Sequence, residues 1–190
     1  MPSIAYETGN DLPIDVRFQV IDLLNRRLAD VIDLSTQVKQ AHWNVKGPNF
    51  IALHLLFDQI HGEVLGYVDT IAERVVQLGG IAGGTARMVA EASSISEYPH
   101  TASTGAEHVG ALAGALAEFG AKIRRTSDEA SDLFDQNSAD ICTEVSRGID
   151  KWLWFVEAHA QERTLNVPVP PRVRDHRRGL SIRHGASRSK

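Results

Sequence analysis

Apolar residues recur at three- and four-residue intervals along four separate stretches of this 190-residue chain. Such spacing lines one face of an α-helix, whereas a β-strand alternates every second residue, and no convincing alternation occurs. In the second stretch the pattern joins Leu53, Phe57, Ile60, Val64, Val68, Ile71, Val75 and Leu78. Amphipathic helices bury their apolar faces by packing together, so the sequence predicts an all-α four-helix bundle.

The breaks between these stretches predict how the helices are connected. Gly47-Pro48 ends the first helix, because a residue before proline avoids helical geometry, and Gly79-Gly80 ends the second. Residues 79–103 are rich in Gly and Ser and are long for a turn, which predicts a crossover connection with a short helix of its own. Thr104 and Glu107 have the spacing of a capping box at the start of the third helix.

One long crossover between helices two and three is typical of the ferritin-like kind of four-helix bundle. The fourth helix is predicted from near Ser138 toward Arg163, and the prolines that follow end regular structure. We therefore predict an N-terminal extension over residues 1–13, a bundle over 14–163 and a basic C-terminal tail over 164–190.

Size and composition limit the remaining possibilities. A chain of 190 residues, 43% of them hydrophobic, supports one domain with its own core. The single cysteine, Cys142, excludes an intrachain disulfide framework and a Cys-based zinc cage, which favours the cytoplasm. The opening MPSIAYETGNDLPIDVR does not have the pattern of a secretory signal, and no apolar run reaches membrane-spanning length, so we expect no membrane partner.

The second predicted helix carries four residues of metal-ligand type, which form an early pair (His54, Asp58) and a late pair (Asp69, Glu73), and His42 lies just before it. On a wheel of about 100° per residue with His54 at zero, Asp58, Asp69 and Glu73 fall near 40°, 60° and 100°. The apolar seam centres near −95°, so the ligand types share a stripe that faces away from the core. Ordinary di-iron bundle proteins instead project their ligands inward.

One helix cannot bring both pairs to the same ion. The pairs are separated by roughly 16 Å along the axis, whereas metal–ligand bonds are about 2 Å long. Two copies of the helix packed antiparallel across a two-fold axis place the early pair of one chain against the late pair of the other. Gly62 and Gly66, on the stripe side, allow close approach. A mixed His and carboxylate site with open positions suits iron, which binds as Fe(II), is oxidised and leaves.

At these residues the sequence resembles a known family. HWNVKGPNFIALHLLFD (residues 42–58), DTIAERVVQLGG (69–80) and DKWLWFVE (150–157) are similar to the Dps family of mini-ferritins, the DNA-binding proteins from starved cells, and the likeness covers about residues 14–162. The resemblance implies a hollow homo-dodecamer that oxidises Fe(II), preferentially with hydrogen peroxide, and stores Fe(III) mineral. It implies ferroxidase sites at two-fold interfaces, with ligands His42, His54 and Asp58 from one subunit and Asp69 and Glu73 from another.

Three further residues lie on or near the stripe. Trp43 resembles a family tryptophan near the metal site that donates an electron to a strong oxidant, and interface packing is an equal reason for an aromatic side chain there. Lys39, one turn before His42, either contacts a metal-bound water or is a solvent-facing lysine. His61 lies on the stripe between the two pairs and is predicted to be an interface histidine rather than a ligand.

Further charged residues are assigned through the same resemblance. Arg74 and Asp150 match positions that pair in relatives, which predicts an ion pair next to the site. Asp135 and Asp140, near the start of the fourth helix, match carboxylates that line an iron-entry pore on a three-fold axis. The helix macrodipole alone also favours acidic residues at that end.

The net charge of −4 hides an asymmetry between the body and the tail. Residues 172–190 hold seven cations and one acid and so carry +6, which leaves −10 for the rest of the chain. The cations are Arg172, Arg174, Arg177, Arg178, Arg183, Arg188 and Lys190. Such a tail neutralises DNA phosphates without reading sequence, and many copies on one particle multiply the contact, which predicts non-specific DNA binding and nucleoid association. A merely solubilising tail is the alternative.

Two other functions fit the same stripe. One is an architectural, DNA-compacting oligomer with little ferroxidase activity. The other is a helical oligomer that uses the stripe for structural zinc, an ion that also competes with iron for such ligands. Rapid iron turnover distinguishes the predicted ferroxidase from both.

Overall fold

A computed structural model of the chain describes residues 6–161. Five helices follow one another there: α1 (Ile14–Asn44), α2 (Phe50–Gln77), α3 (Ala86–Ala92), α4 (Gly105–Asp132) and α5 (Gln136–Glu157). No strand occurs among these residues, and the short α3 lies in the crossover between the second and third long helices. The predicted all-α, ferritin-like bundle is therefore confirmed, while the basic tail lies outside the described residues.

The four long helices pack in two pairs, α1 with α2 and α4 with α5, and α1 also contacts α4. The predicted apolar seams form one shared core, whose largest fully buried side chains include Leu24, Leu28, Phe57, Ile60, Leu112, Leu116, Phe119 and Ile123. None of the helices within residues 6–161 is both long and apolar enough to cross a membrane. Because the inner faces are used by this core, any ligand residues on the opposite faces remain available to other molecules.

The apolar spacing of the first helix, which joins Ile21, Leu24, Leu28, Val31 and Val38, predicts that the stripe reaches His42 one turn later, but the buried stripe of α1 does not run through His42. It continues instead through Ala41 and Val45, which are both buried. The His42 side chain lies at the edge of the core, with 12% of its surface exposed. A side chain at this edge packs on one side and keeps a route to the surface on the other.

Carboxylates of α1 hold the crossover along the bundle. The fully buried Asp30 accepts hydrogen bonds from the Ser94 backbone N–H at 2.7 Å and hydroxyl at 3.0 Å, and it pairs with Arg27 at 3.0 Å. Asp33 accepts a hydrogen bond from the Ser93 hydroxyl at 2.6 Å. Buried charges are costly unless they are paired and hydrogen-bonded, so this network defines where the crossover lies.

The predicted capping box at the start of α4 is confirmed. The Thr104 hydroxyl accepts a hydrogen bond from the Glu107 backbone N–H at 3.3 Å, and the Glu107 carboxylate accepts one from the Thr104 backbone N–H at 2.9 Å. Hydrogen bonds from Ser103 and Thr104 lower the pKa of Glu107 to about 2. The carboxylate is therefore ionised at neutral pH, and the box orients the start of α4.

The prediction that Arg74 pairs with Asp150 is wrong for the chain that the structure describes. Arg74 pairs with Asp135 at 2.9 Å, whereas Asp150 pairs with Arg124 at 2.7 Å. Asp135 also caps α5, because it accepts a hydrogen bond from the Ser138 backbone N–H at 3.1 Å. The end of α2 lies beside the start of α5, and Asp150 is about four turns farther along that helix.

We predict that Asp135→Asn destabilises the protein by about 3–5 kcal/mol, because it leaves the buried Arg74 guanidinium without its charge partner. Both side chains are nearly enclosed, with 6% of Arg74 and 2% of Asp135 exposed. Urea unfolding followed by circular dichroism, at one fixed protein concentration, measures the change.

Asp150→Asn is the matched control for this substitution. Its carboxylate is 54% exposed and its partner Arg124 is 49% exposed. Exposed ion pairs contribute little, so we expect a change below about 1 kcal/mol. Equal losses of stability in the two variants would show that burial of the Arg74–Asp135 pair has no special role.

Candidate metal centre

The link between α1 and α2 reverses the chain within residues 45–49. Gly47 has a φ of 105°, a backbone conformation that residues with a Cβ rarely adopt, and Pro48 follows it. The two helices therefore pack as antiparallel neighbours, with the last turn of α1 against the first turn of α2. This contact brings His42 and His54 together, although they are 12 residues apart in the chain.

His42 and His54 hydrogen-bond to each other's backbone. The His42 Nδ1 lies 2.8 Å from the His54 carbonyl oxygen, and the His54 Nδ1 lies 2.9 Å from the His42 carbonyl oxygen. The two rings stack with centroids 3.8 Å apart and an interplanar angle of 22°. Since a carbonyl oxygen can only accept, each Nδ1 carries a hydrogen and donates it. In the neutral imidazoles the two Nε2 atoms then keep their lone pairs, which is the form that binds a metal ion.

Asp58 lies one turn after His54 and is exposed. Its Oδ1 accepts a hydrogen bond from Lys39 Nζ at 2.5 Å and lies 3.9 Å from the His42 Nδ1. The hydrogen bond from Lys39 lowers the pKa of Asp58, so the carboxylate is ionised and able to bind a cation. Lys39 thus has a third role beyond the two left open by the sequence, because it positions Asp58.

The exposed side of α2 forms a continuous surface, here called the α2 outer face, that contains residues 54, 55, 58, 61, 62, 65, 66, 69 and 73. At Gly62 and Gly66 a Cβ would meet nothing within 4 Å, so the backbone is open to a neighbour. Leu55 is 55% exposed and Leu65 is 46% exposed. Large apolar side chains gathered on one exposed face are typical of a contact surface.

His61 lies on the α2 outer face between the early and late pairs. Burial, together with the charge of Lys39, lowers the pKa of His61, so its imidazole is neutral at neutral pH. It is half-buried and near Asp58 rather than directed at solvent alone. This environment agrees with an interface histidine.

Asp69 and Glu73 are exposed farther along the α2 outer face. About 16 Å of helix separates Asp69 from Asp58, so one chain cannot join the two pairs around an ion. Across residues 6–161, no three His, Cys, Asp or Glu side chains come close enough to form a metal-binding group. The described chain therefore presents two separate groups of ligand-type residues on one surface.

The remaining predicted site residues have different environments. Trp43 is 67% exposed, in keeping with either of its two predicted roles. Asp140 is exposed near the start of α5. Asp135 is predicted to line a pore, but its carboxylate is buried and accepts hydrogen bonds from Arg74 and Ser138. The seven tail cations lie outside the described residues.

The structure contains a buried polar pair that sequence periodicity could not predict. The Tyr98 hydroxyl lies 2.5 Å from the His108 Nδ1, and both side chains are buried. Tyr98 belongs to the crossover and His108 to the first turns of α4. No spacing rule connects a loop residue with a helical residue ten positions later, so only the fold reveals this contact.

Comparison with known sequences assigns the chain to a family. Residues 21–165 match the ferritin-like domain family. The DNA protection during starvation protein of Agrobacterium fabrum is 45% identical over 160 residues, which are 84% of this chain and 99% of that protein. The protein of the same name from Brevibacillus brevis is 34% identical over 136 residues, which are 72% of this chain and 91% of that protein.

Solved structures agree with the sequence comparison. Mycobacterium smegmatis Dps in its tetragonal form has a TM-score of 0.79 and 31% identity, over 83% of this chain and 95% of that one. DpsC from Streptomyces coelicolor also has a TM-score of 0.79 and 31% identity, over 85% of this chain and 94% of that one. In sequence and in fold, the chain therefore belongs to the Dps family of ferritin-like proteins.

Proposed function

We propose that this protein is an iron-sequestering ferroxidase whose catalytic sites are shared between two copies of the chain. His42, His54 and Asp58 of one copy bind iron together with Asp69 and Glu73 of the other. The observation that carries this proposal is the pair of hydrogen bonds that fixes the imidazoles of His42 and His54. It leaves the Nε2 lone pairs of both rings free beside the ionised carboxylate of Asp58. Among residues 6–161, these three groups have no further ligands in their own chain, and a second α2 outer face offers the missing carboxylates.

The proposed ligands suit both oxidation states of the substrate iron. Imidazole nitrogen and carboxylate oxygen bind Fe(II), and the carboxylates favour Fe(III) more strongly because electrostatic attraction grows with the charge of the ion. Two Fe(II) ions give one electron each to hydrogen peroxide, the preferred oxidant. The O–O bond breaks, two protons are taken up, and two water molecules form. Paired electron transfer of this kind avoids release of hydroxyl radical.

The contact between Lys39 and Asp58 has a defined place in this scheme. Before iron binds, the Lys39 ammonium holds the Asp58 carboxylate close to His42 and keeps it ionised. Fe(II) then replaces the ammonium or uses the other carboxylate oxygen. Asp58 is 53% exposed, and exposed ion pairs are weak, so this exchange costs little free energy.

Two α2 outer faces that cross antiparallel would create two equivalent sites and bury Leu55 and Leu65. Gly62 and Gly66 lie at the middle of this crossing and let the backbones approach. Six such dimers assemble into a hollow dodecamer, which stores Fe(III) mineral in the cytoplasm. Asp140, the exposed carboxylate near the start of α5, lines the iron-entry pore.

DNA binding is assigned to the basic tail, residues 172–190. Its seven cations and single acid attract phosphates without base contacts, and twelve tails on one particle act together. The similar proteins from Agrobacterium fabrum and Brevibacillus brevis are both named for DNA protection during starvation. Binding of this type places the particle on the nucleoid, where it removes iron and peroxide close to DNA.

Replacing His54 and Asp58 together by Ala is expected to slow Fe(II) oxidation by about 100-fold or more, since both early ligands are lost. The measurement mixes anaerobic Fe(II)-loaded protein with peroxide, or with air, and follows ferric absorbance in a stopped-flow instrument. Particle mass from light scattering should stay unchanged.

Replacing Glu97 and His100 together by Ala is the matched control. These residues also contribute one carboxylate and one imidazole, but they pair in the crossover and each is 84% exposed. We expect wild-type oxidation rates. Wild-type rates in the His54/Asp58 variant would exclude these residues from the mechanism, and tight zinc retention without iron turnover would support a structural-zinc oligomer instead.

Sharing of the site between chains predicts complementation. Neither the His54→Ala/Asp58→Ala chain nor the Asp69→Ala/Glu73→Ala chain is expected to be active alone. After the two are unfolded and refolded together, about one quarter of the wild-type sites should be intact, because random pairing makes half of the dimers mixed and each mixed dimer keeps one complete site. No recovery in the mixture, with normal assembly, would contradict a shared site.

Deleting residues 172–190 should abolish retardation of DNA in gels at low salt, because the phosphate-neutralising cations are removed. A variant with the six tail arginines changed to Lys retains the charge and should retain retardation. In the full-length protein, retardation should weaken steeply as salt is raised. If the truncated particle retards DNA as strongly as the full-length protein, DNA binds to another surface.

A further inference from the structure

Tyr98 and His108 form a short hydrogen bond outside the proposed metal centre. The phenol oxygen lies 2.5 Å from the imidazole Nδ1, and the two ring centroids are 6.1 Å apart. Tyr98 is 9% exposed and His108 is 1% exposed. Among the described residues, the other imidazole nitrogen, Nε2, has no well-formed hydrogen bond, although the nearby Asn44 backbone favours the charged form of the ring.

The protonation states of the two groups are determined by their burial. Burial raises the pKa of Tyr98 to about 12, so the phenol keeps its proton at neutral pH. Burial lowers the pKa of His108, which leaves its imidazole neutral. The nearby Asn44 backbone, which favours a hydrogen on the ring nitrogen that faces it, supports the tautomer with the hydrogen on Nε2, and in that tautomer Nδ1 accepts the phenol O–H. The Tyr98 phenol, a proton donor, and the unprotonated His108 Nδ1, a proton acceptor, are thus held in contact.

We propose that Tyr98 and His108 are a redox-active pair that takes up stray one-electron oxidising equivalents. This role rests on the proposed iron and peroxide chemistry. A single Fe(II) ion reacting with peroxide gives Fe(III), hydroxide and hydroxyl radical. The hydroxyl radical gains one electron and becomes hydroxide. Tyr98 supplies that electron, its O–H bond breaks, and the proton moves to the His108 Nδ1, so that a neutral tyrosyl radical and an imidazolium result.

The hydrogen bond to His108 allows Tyr98 to be oxidised although its side chain is buried. Removal of an electron alone would leave a phenol radical cation, and an isolated charge in a low-dielectric interior is costly. Transfer of the proton to His108 in the same step places the positive charge on an imidazolium, a far weaker acid than the oxidised phenol, and the nearby Asn44 backbone favours this charged form of the ring. A later Fe(II) ion returns the electron, and the proton then returns to the phenol oxygen.

The position of the pair connects it with the surface near the metal centre. Tyr98 and Trp43 line the same open cavity of about 850 Å³, and Trp43 is 67% exposed. Trp43 follows His42 directly in the chain, and Asn44 lies next to His108. An oxidant released near the centre meets the Trp43 ring first, and the electron passes to it from Tyr98.

The test uses the complete oligomer, loaded with Fe(II), mixed with peroxide and frozen for electron paramagnetic resonance. The chain has three tyrosines, so single Tyr→Phe variants assign any tyrosyl signal. We expect Tyr98→Phe to remove the signal, whereas Tyr67→Phe and Tyr6→Phe retain it. Tyr6 is a stringent comparison because it is 64% exposed and reaches solvent oxidants far more easily.

His108→Asn tests the base. It keeps a polar side chain but cannot take up the proton, so the Tyr98 signal should fall while the rate of Fe(II) oxidation stays at the wild-type value. Circular dichroism and particle mass show whether each variant is folded and assembled. A full Tyr98 signal in His108→Asn would exclude His108 as the proton acceptor.

A second arm without iron separates this inference from the proposed ferroxidase. Photolysis of peroxide supplies hydroxyl radical directly to the iron-free oligomer. A tyrosyl signal that is lost only in Tyr98→Phe supports the pair even if rapid iron oxidation is not found. A signal that persists in Tyr98→Phe, or that is lost in Tyr6→Phe instead, overturns the inference even if iron oxidation is rapid.

Discussion

The reciprocal hydrogen bonds between His42 and His54 are the contact on which the candidate metal centre depends. Each imidazole donates from Nδ1 to the other residue's carbonyl oxygen, at 2.8 and 2.9 Å. These bonds set the tautomer and the orientation of both rings, and they join the end of α1 to the start of α2. A ligand held in this way loses little freedom when a metal ion binds, because its orientation already exists before binding.

In the proposed function, the metal-binding residues and the oligomer contact occupy the same surface. In this chain the inner faces of the helices are filled with apolar side chains, so the ligand types lie on the α2 outer face. A bundle with inward-facing ligands completes its site within one chain. Here the length of a helix separates the two pairs of proposed ligands, and in the proposed function a second copy of the chain completes the site. Under the proposed function, assembly and iron chemistry are therefore inseparable.

Regular repeats were the features that could be predicted from the sequence. The apolar seam of α2 from Leu53 to Leu78 and the Thr104–Glu107 capping box follow local rules of helix geometry, and both occur as expected. Pairing between distant charges followed no such rule. The partner of Arg74 is Asp135 rather than Asp150, because the start of α5 is the part of that helix that lies beside the end of α2.

The same distinction separates the site residues themselves. The sequence by itself determined which residues share the outer face of α2, since a helical period places His54, Asp58, Asp69 and Glu73 on one stripe. Only the tertiary structure decided the state of those residues: the tautomer of His54, the ion pair of Asp58 with Lys39, and the separate contact of Tyr98 with His108. Periodicity is a property of one helix, whereas hydrogen bonds of this kind depend on how two segments pack against each other.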